Sequence, residues 1–220
     1  VSAEADFATD LVERVVAALR TARPLFHSEA DFQHAFAWEA HRAHPDAHIR
    51  LERRRSAESN ERLDLLLTVG KTAVAVELKY PVARLDAELD GEPFILRTQG
   101  AEDRMRFNYI WDLVRLERLV TAGTADVGAA VLLTNVSQLW GPRVGGPAAD
   151  TEFSFHEGVE LAGRLGWGSS ATWWQNTKPP LPEAVELTGR YHMRWRPYST
   201  VSGVGRAEFR WLYTTVTAAP

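Results

Sequence analysis

Apolar residues recur at helical spacing over residues 4–20, where Phe7, Leu11 and Val15 are joined by Val12, Val16 and Leu19. Pro24 follows the end of that stretch. Ser28-Glu29-Ala30-Asp31 then reads as a variant capping box, with Ser28 as N-cap and acids in the first turn. Phe32, Phe36 and Ala40, with Ala35, give the second helix its apolar face, and Pro45 closes it. From there the period changes to two. Residues 49–54 predict a first strand and residues 62–69 a stronger one. Gly70-Lys71 stands where a two-residue hairpin turn belongs, with glycine first as type II′ requires. Residues 72–80 form the return strand, ended by Pro81, and residues 86–93 read as a polar loop. Thr98 is placed to cap a long helix from Gln99 to about Val120, whose buried stripe is Met105, Tyr109, Leu113, Leu116 and Val120. The apolar run 127–134 fits a buried parallel strand reached by a helical crossover. Residues 138–182 are rich in Gly, Pro and Trp and have little period, which predicts loops and excursions. Residues 185–195 and 207–217 return to β-rich composition and predict a late antiparallel pair. The order of elements indicates one α/β domain over residues 1–220, with a mixed β-sheet flanked by helices and extra strands at the C-terminal end.

The hairpin register has a chemical consequence. With Gly70-Lys71 as the turn, Val69 faces Thr72, Leu67 faces Val74, and Asp64 falls opposite Glu77. Alternation puts Asp64, Leu66 and Thr68 on one face with Ala73, Ala75, Glu77 and Lys79. The other face carries Leu63, Leu65, Leu67, Val74, Val76, Leu78 and Tyr80 and is core. Two carboxylates directly opposite one another repel, so a cation must compensate. Lys79, diagonal to Asp64, is one candidate. A divalent ion is the other, since hard oxygen donors suit Mg²⁺ or Mn²⁺ and magnesium needs only one or two carboxylates. The small Ala73 and Ala75 leave room above the sheet for a substrate. A solvated Asp–Lys–Glu cluster on an exposed sheet face would have the same spacing.

Composition narrows the chemistry. The 220-residue chain has no cysteine, which excludes disulfides, thiolate catalysis and cysteine-ligated metals. Its formal net charge is −4, so any nucleic-acid contact must come from a local basic face. The Arg53-Arg54-Arg55 run and the Arg104/Arg106 pair are the candidates, and each is equally a solvated cluster. No stretch is long and apolar enough to span a membrane. The first residues lack an apolar signal core, so a cytoplasmic location is expected.

Asp64 followed by Glu77-Leu78-Lys79 on the next strand, behind an acidic helix, resembles the PD-(D/E)XK nuclease superfamily. The resemblance covers roughly residues 28–134, with residues 135–220 as an elaboration. Gln99-Gly100-Ala101-Glu102-Asp103 and Arg115-Leu116-Glu117 are similar to uncharacterised members. The resemblance implies a restriction-endonuclease-like core and Mg²⁺- or Mn²⁺-dependent hydrolysis of phosphodiesters, with DNA as the expected substrate. It implies that Asp64, Glu77 and the Leu78 backbone carbonyl hold the metal. Lys79 would orient a water or stabilise charge. Glu29 would hold a second metal or a metal-bound water, with Glu39 the alternative helix acid. Gln99 would contact the phosphate or position a water. Many members act as homodimers, although no interface signature stands out here. Leu63 replaces the proline of the motif, and Asp103 stands where one branch has a tyrosine. A non-catalytic binding module of the same fold, or an unrelated α/β protein with a salt-bridged sheet face, remains an alternative.

Other signals are weaker. His41, His44 and His48 straddle Pro45 and lack a fourth ligand. The tryptophans at 140, 167, 173, 174, 195 and 211 read mainly as core beneath long loops, with Trp173-Trp174 the pair to consider for ligand stacking. Residues 141–146 (GPRVGG) lack the Lys-Ser/Thr end of a P-loop and read as a turn segment.

Overall fold

The computed structural model describes residues 2–54, 61–146, 148–169, 172–178, 180–201 and 207–218. Arg55, the last of the three-arginine run, lies outside the described residues. Two helices open the chain, α1 (Ala3–Ala22) and α2 (Glu29–Ala43). Ser2 and Ser28 cap them by accepting from the amides of Ala5 and Asp31, which satisfies donors that a helix start leaves unpaired. Strands β1 (His48–Arg54), β2 (Arg62–Val69) and β3 (Thr72–Lys79) follow as an antiparallel meander. Gly70 turns the β2–β3 hairpin with φ 58, a backbone conformation that glycine adopts without steric cost.

Helix α3 (Glu102–Thr121) then crosses over to β6 (Val127–Thr134), which lies parallel to β3 and is buried along its whole length. Gly128 permits the close seating of α3, because a Cβ there would stand 2.9 Å from that of Leu116. Past β6 the sheet continues through β10 (Glu208–Val216) to β9 (Trp195–Thr200), giving the six-stranded order β1-β2-β3-β6-β10-β9. The protein is thus mixed α/β. Helices α1 and α2 pack on one face with Leu65, Leu67, Val74, Val76, Leu78 and Tyr80. Helix α3 covers the other face with the aromatic C-terminal elements. No helix among the described residues is long and apolar enough to cross a membrane.

Several sequence expectations need correction. Residues 86–93 are no loop: β4 (Leu85–Leu89) and β5 (Glu92–Leu96) form a separate hairpin. Its turn is Asp90-Gly91, with φ 51 and 82, the positive pair that a type I′ turn demands. Helix α3 starts at Glu102, not Gln99. Thr98 instead accepts from the amide of Arg84, and Gly100 at φ 80 breaks the chain before the helix. The late strands do not pair as expected. The β-rich stretch 185–195 contributes β8 (Ala184–His192), which pairs with β7 (Glu160–Gly166), while β10 joins β6 and β9. The Gly- and Trp-rich region therefore contains a strand, as well as a one-turn helix α4 (Ser137–Trp140). Leu63 leaves its expected face and packs on the α3 side with Ala75, Leu116 and Leu119. At the same level on β1, Glu52, opposite Asp64, has φ 52, and the strand pairing skips that position.

Candidate functional site

The β2–β3 ladder is regular from Val69–Thr72 to Leu65–Val76. One step further the ladder gives way to a side chain. Asp64 Oδ2 accepts from the Leu78 amide at 2.8 Å, which places Asp64 beside Glu77 in the buried interior. The strand alternation that carries Leu78 into the α1/α2 core carries Glu77 and Lys79 toward α3. There they meet Asp112 and Arg115, one helical turn apart. Lys79 Nζ lies 3.3 Å from Asp112 Oδ2 and 4.0 Å from Asp64 Oδ2. Arg115 reaches Glu77 Oε1 at 2.9 Å and Asp112 Oδ1 at 3.2 Å, and also donates to the Arg62 carbonyl.

Three carboxylates thus face two cations in a space where Glu77 is 1% and Asp112 3% exposed. Burial, then Asp112 and Asp64, pushes the Glu77 carboxyl well above its ordinary range, against the opposing pull of Arg115 and Lys79. Burial likewise raises Asp112, although Lys79 and Arg115 draw it back. Burial works to deprotonate Lys79, but Asp112, Asp64, Glu29 and Glu77 together outweigh it and hold the ammonium charged.

The helix acid Glu29 opens α2 and accepts from the Tyr80 amide at 2.9 Å, just past Lys79. That bond sets it next to the cluster along β3, and its charge is among those that hold Lys79 charged. Glu39 pairs with Arg42 on its own helix at 3.1 Å. Gln99 is exposed and precedes α3; its amide donates to the Val82 carbonyl, and no contact links its side chain to the cluster among the described residues. Asp112 was not among the expected site residues. Its signal lies in the run WDLVRLER, where Asp112 and Arg115 intrude on the buried stripe between Tyr109 and Leu116.

The donor set can be tested against a divalent ion. Both Glu77 carboxylate oxygens and Asp112 Oδ2 are buried without a hydrogen bond. Lys79 and Arg115 stand within charge contact of them. Hard oxygens with unmet lone pairs suit Mg²⁺ or Mn²⁺. Among the described residues, however, no three His, Cys, Asp or Glu side chains are grouped to cage a metal. Any ion would therefore be held by at most one or two carboxylates, with its own waters completing the shell.

The other signals resolve as packing. His44 stands edge-on to Phe7 with centroids 5.3 Å apart, and Trp173 packs edge-on against Trp167 at 5.1 Å. Arg106 is buried and bound to Asp150 and the Gln138 carbonyl. No family model, curated protein or solved structure matches this chain.

Proposed function

We propose that the chain is a divalent-metal-dependent nuclease of the PD-(D/E)XK type that hydrolyses phosphodiester bonds in DNA. One observation carries the reading: β2, β3 and the start of α2 deliver Asp64, Glu77, Lys79 and Glu29 to one end of the sheet, with a surplus of carboxylate. The element order supports it, since α2, the β1–β3 meander, the α3 crossover and parallel β6 follow the helix, hairpin, strand, helix and strand expected of a restriction-endonuclease-like core. Asp64 and Glu77 are the residues that would hold Mg²⁺ or Mn²⁺, with the Leu78 carbonyl as a further ligand. When bound, the ion polarises the phosphate and lowers the pKa of a water. Lys79, held charged, acts as a fixed cation beside the developing negative charge rather than as a base. Glu29 spends one oxygen on the Tyr80 amide and keeps the other for a water. Glu77 must lose its tightly held proton to serve as a ligand, so cation affinity should weaken as pH falls. Gln99 has no role in this scheme.

The test is cleavage of single-stranded, duplex and branched DNA with Mg²⁺ or Mn²⁺, beside Asp64→Asn and Lys79→Ala. Asp64→Asn keeps an acceptor for the Leu78 amide while removing the charge. Cleavage by the parent and its loss in both variants is expected. Equal cutting by all three, or none by any, sinks the proposal. A second reading, a non-catalytic module of the same fold, is favoured by Arg115 and Lys79, which already neutralise most of the cluster. The two readings separate by melting temperature. A nuclease should gain stability from Mn²⁺ through binding to the native state, and Asp64→Asn should remove the gain. The module should show no such shift.

A further inference from the structure

Arg115, which contacts Glu77, also lines a small cavity. Its walls are Arg53 and Arg54 from the end of β1, Arg115 and Leu119 from α3, Leu63 from β2, and Thr124. Successive strand residues ordinarily point to opposite faces, yet Arg53 and Arg54 both border this one space. They follow Glu52, whose left-handed backbone at φ 52 disrupts the alternation at the same level where Leu63 turns toward α3. A non-glycine residue in that conformation stores strain of the kind that collects at functional sites.

The side chains of Arg53, Arg54 and Thr124 make no hydrogen bond or ion pair among the described residues. Arg115 is committed to Glu77 and Asp112. Among the described residues two acids stand near: Glu61, whose charge acts on Arg115, and Glu52, which is 3.9 Å from Arg62. Among the described residues neither acid pairs with Arg53 or Arg54, which share the cavity wall with the apolar Leu63 and Leu119. Arginine side chains and a hydroxyl that line one cavity are groups able to recognise a phosphate through charge-assisted hydrogen bonds.

We infer that this cavity is a binding site for a phosphate group, recognised by Arg53, Arg54 and Thr124 with Arg115 as its inner wall. The site needs no metal and no cleavage activity, so it stands or falls separately from the nuclease reading.

The experiment titrates the protein with inorganic phosphate at constant ionic strength, following heat of binding and melting temperature, with acetate as the comparison anion. Saturable phosphate binding is expected, weakened about tenfold or more in Arg53→Gln/Arg54→Gln, as loss of charge-assisted donors implies. Both arginines are exposed, so the variant should fold, and its melting temperature without phosphate checks this. Thr124→Val provides a second, milder variant, and Lys71→Gln, in the exposed β2–β3 turn, controls for loss of surface charge. Short oligonucleotides with and without a 5′-phosphate distinguish the sources. Tighter binding of the phosphorylated form assigns the site to a nucleic-acid end, and equal binding alongside phosphate uptake assigns it to the free ion. Phosphate binding unchanged in the double variant, or matched by acetate, overturns the inference.

Discussion

Glu77 on β3 and Glu117 on α3 are both buried, and they sit in opposite circumstances. Glu117 points from the helix at the β7–β8 hairpin and meets three donors. The amides of Thr188 and Gly189 reach its Oε1 at 2.9 and 2.7 Å, and the Tyr191 hydroxyl reaches the same oxygen at 2.7 Å. Glu77 points at the helix from β3 and has charge contacts only, with neither oxygen hydrogen-bonded. A buried carboxylate surrounded by aligned donors locks two elements together. A buried carboxylate held beside other carboxylates, with cations in charge contact only, is costly to fold. The position of Gly189 belongs to the first kind of design. A Cβ there would lie 2.5 Å from the Tyr191 hydroxyl, so glycine makes room for the donor that reaches Glu117.

The sharpest way to break this contrast is Glu117→Ala. It strands the buried Tyr191 hydroxyl and two part-buried amides and should cost about 2 kcal/mol, from the penalty for unsatisfied polar groups. Urea unfolding measures it. A loss below a few tenths would mean that water replaces the carboxylate easily and that the hairpin does not depend on it.

Tyr191→Phe refines the same side of the comparison. The Tyr191 hydroxyl is pushed up by burial and then by Glu117, so it is a committed donor. Removing it leaves Glu117 its two amides and should cost about 1.5 kcal/mol, the scale of one hydrogen bond to a charged group. A cost equal to that of Glu117→Ala would show that the hydroxyl, rather than the amides, carries the hub.

How far the sequence foretold each glutamate follows from the range of the interactions. Glu77 was legible because the hairpin is local: a two-residue turn and a period of two fix which side chains share a face. The same logic reached Asp64 and Lys79, and the capping pattern reached Glu29. It failed at Asp112 and Arg115, which meet β3 only through the packing of α3. A polar residue on a buried stripe was the available sign. It failed also at Asp90-Gly91, where a strong hairpin signal was obscured by the charges around it. The partners of β8 and β10 are chosen by tertiary packing across many residues of chain, and propensity alone does not specify them. Glu117 was noticed only as part of a resemblance, since its donors come from a strand more than seventy residues away.

Glu77→Gln gives the smallest effect and tests the other half of the comparison. The substitution keeps shape and removes a charge whose burial is poorly repaid, while Arg115 keeps Asp112 and the Arg62 carbonyl. Stability at pH 7 without divalent ions should stay level or rise by up to about 1 kcal/mol, as for other poorly compensated buried ions. The pH dependence carries the sign. The Glu77 carboxyl is raised in the folded state, so the native form holds its proton more tightly than the unfolded chain. Its contribution is full below about pH 4.5, where an unfolded glutamate titrates, and is lost as pH rises through the folded value. Melting temperatures from pH 4.5 to 8 should therefore fall more steeply for the parent than for Glu77→Gln. Asp112, raised in the same direction, keeps some slope in the variant. Mn²⁺ should reverse the ranking at neutral pH, because the ionised Glu77 then gains the cation it lacks and glutamine does not. Parallel pH profiles would mean that Glu77 is as well satisfied as Glu117, and the distinction between the two sites would collapse.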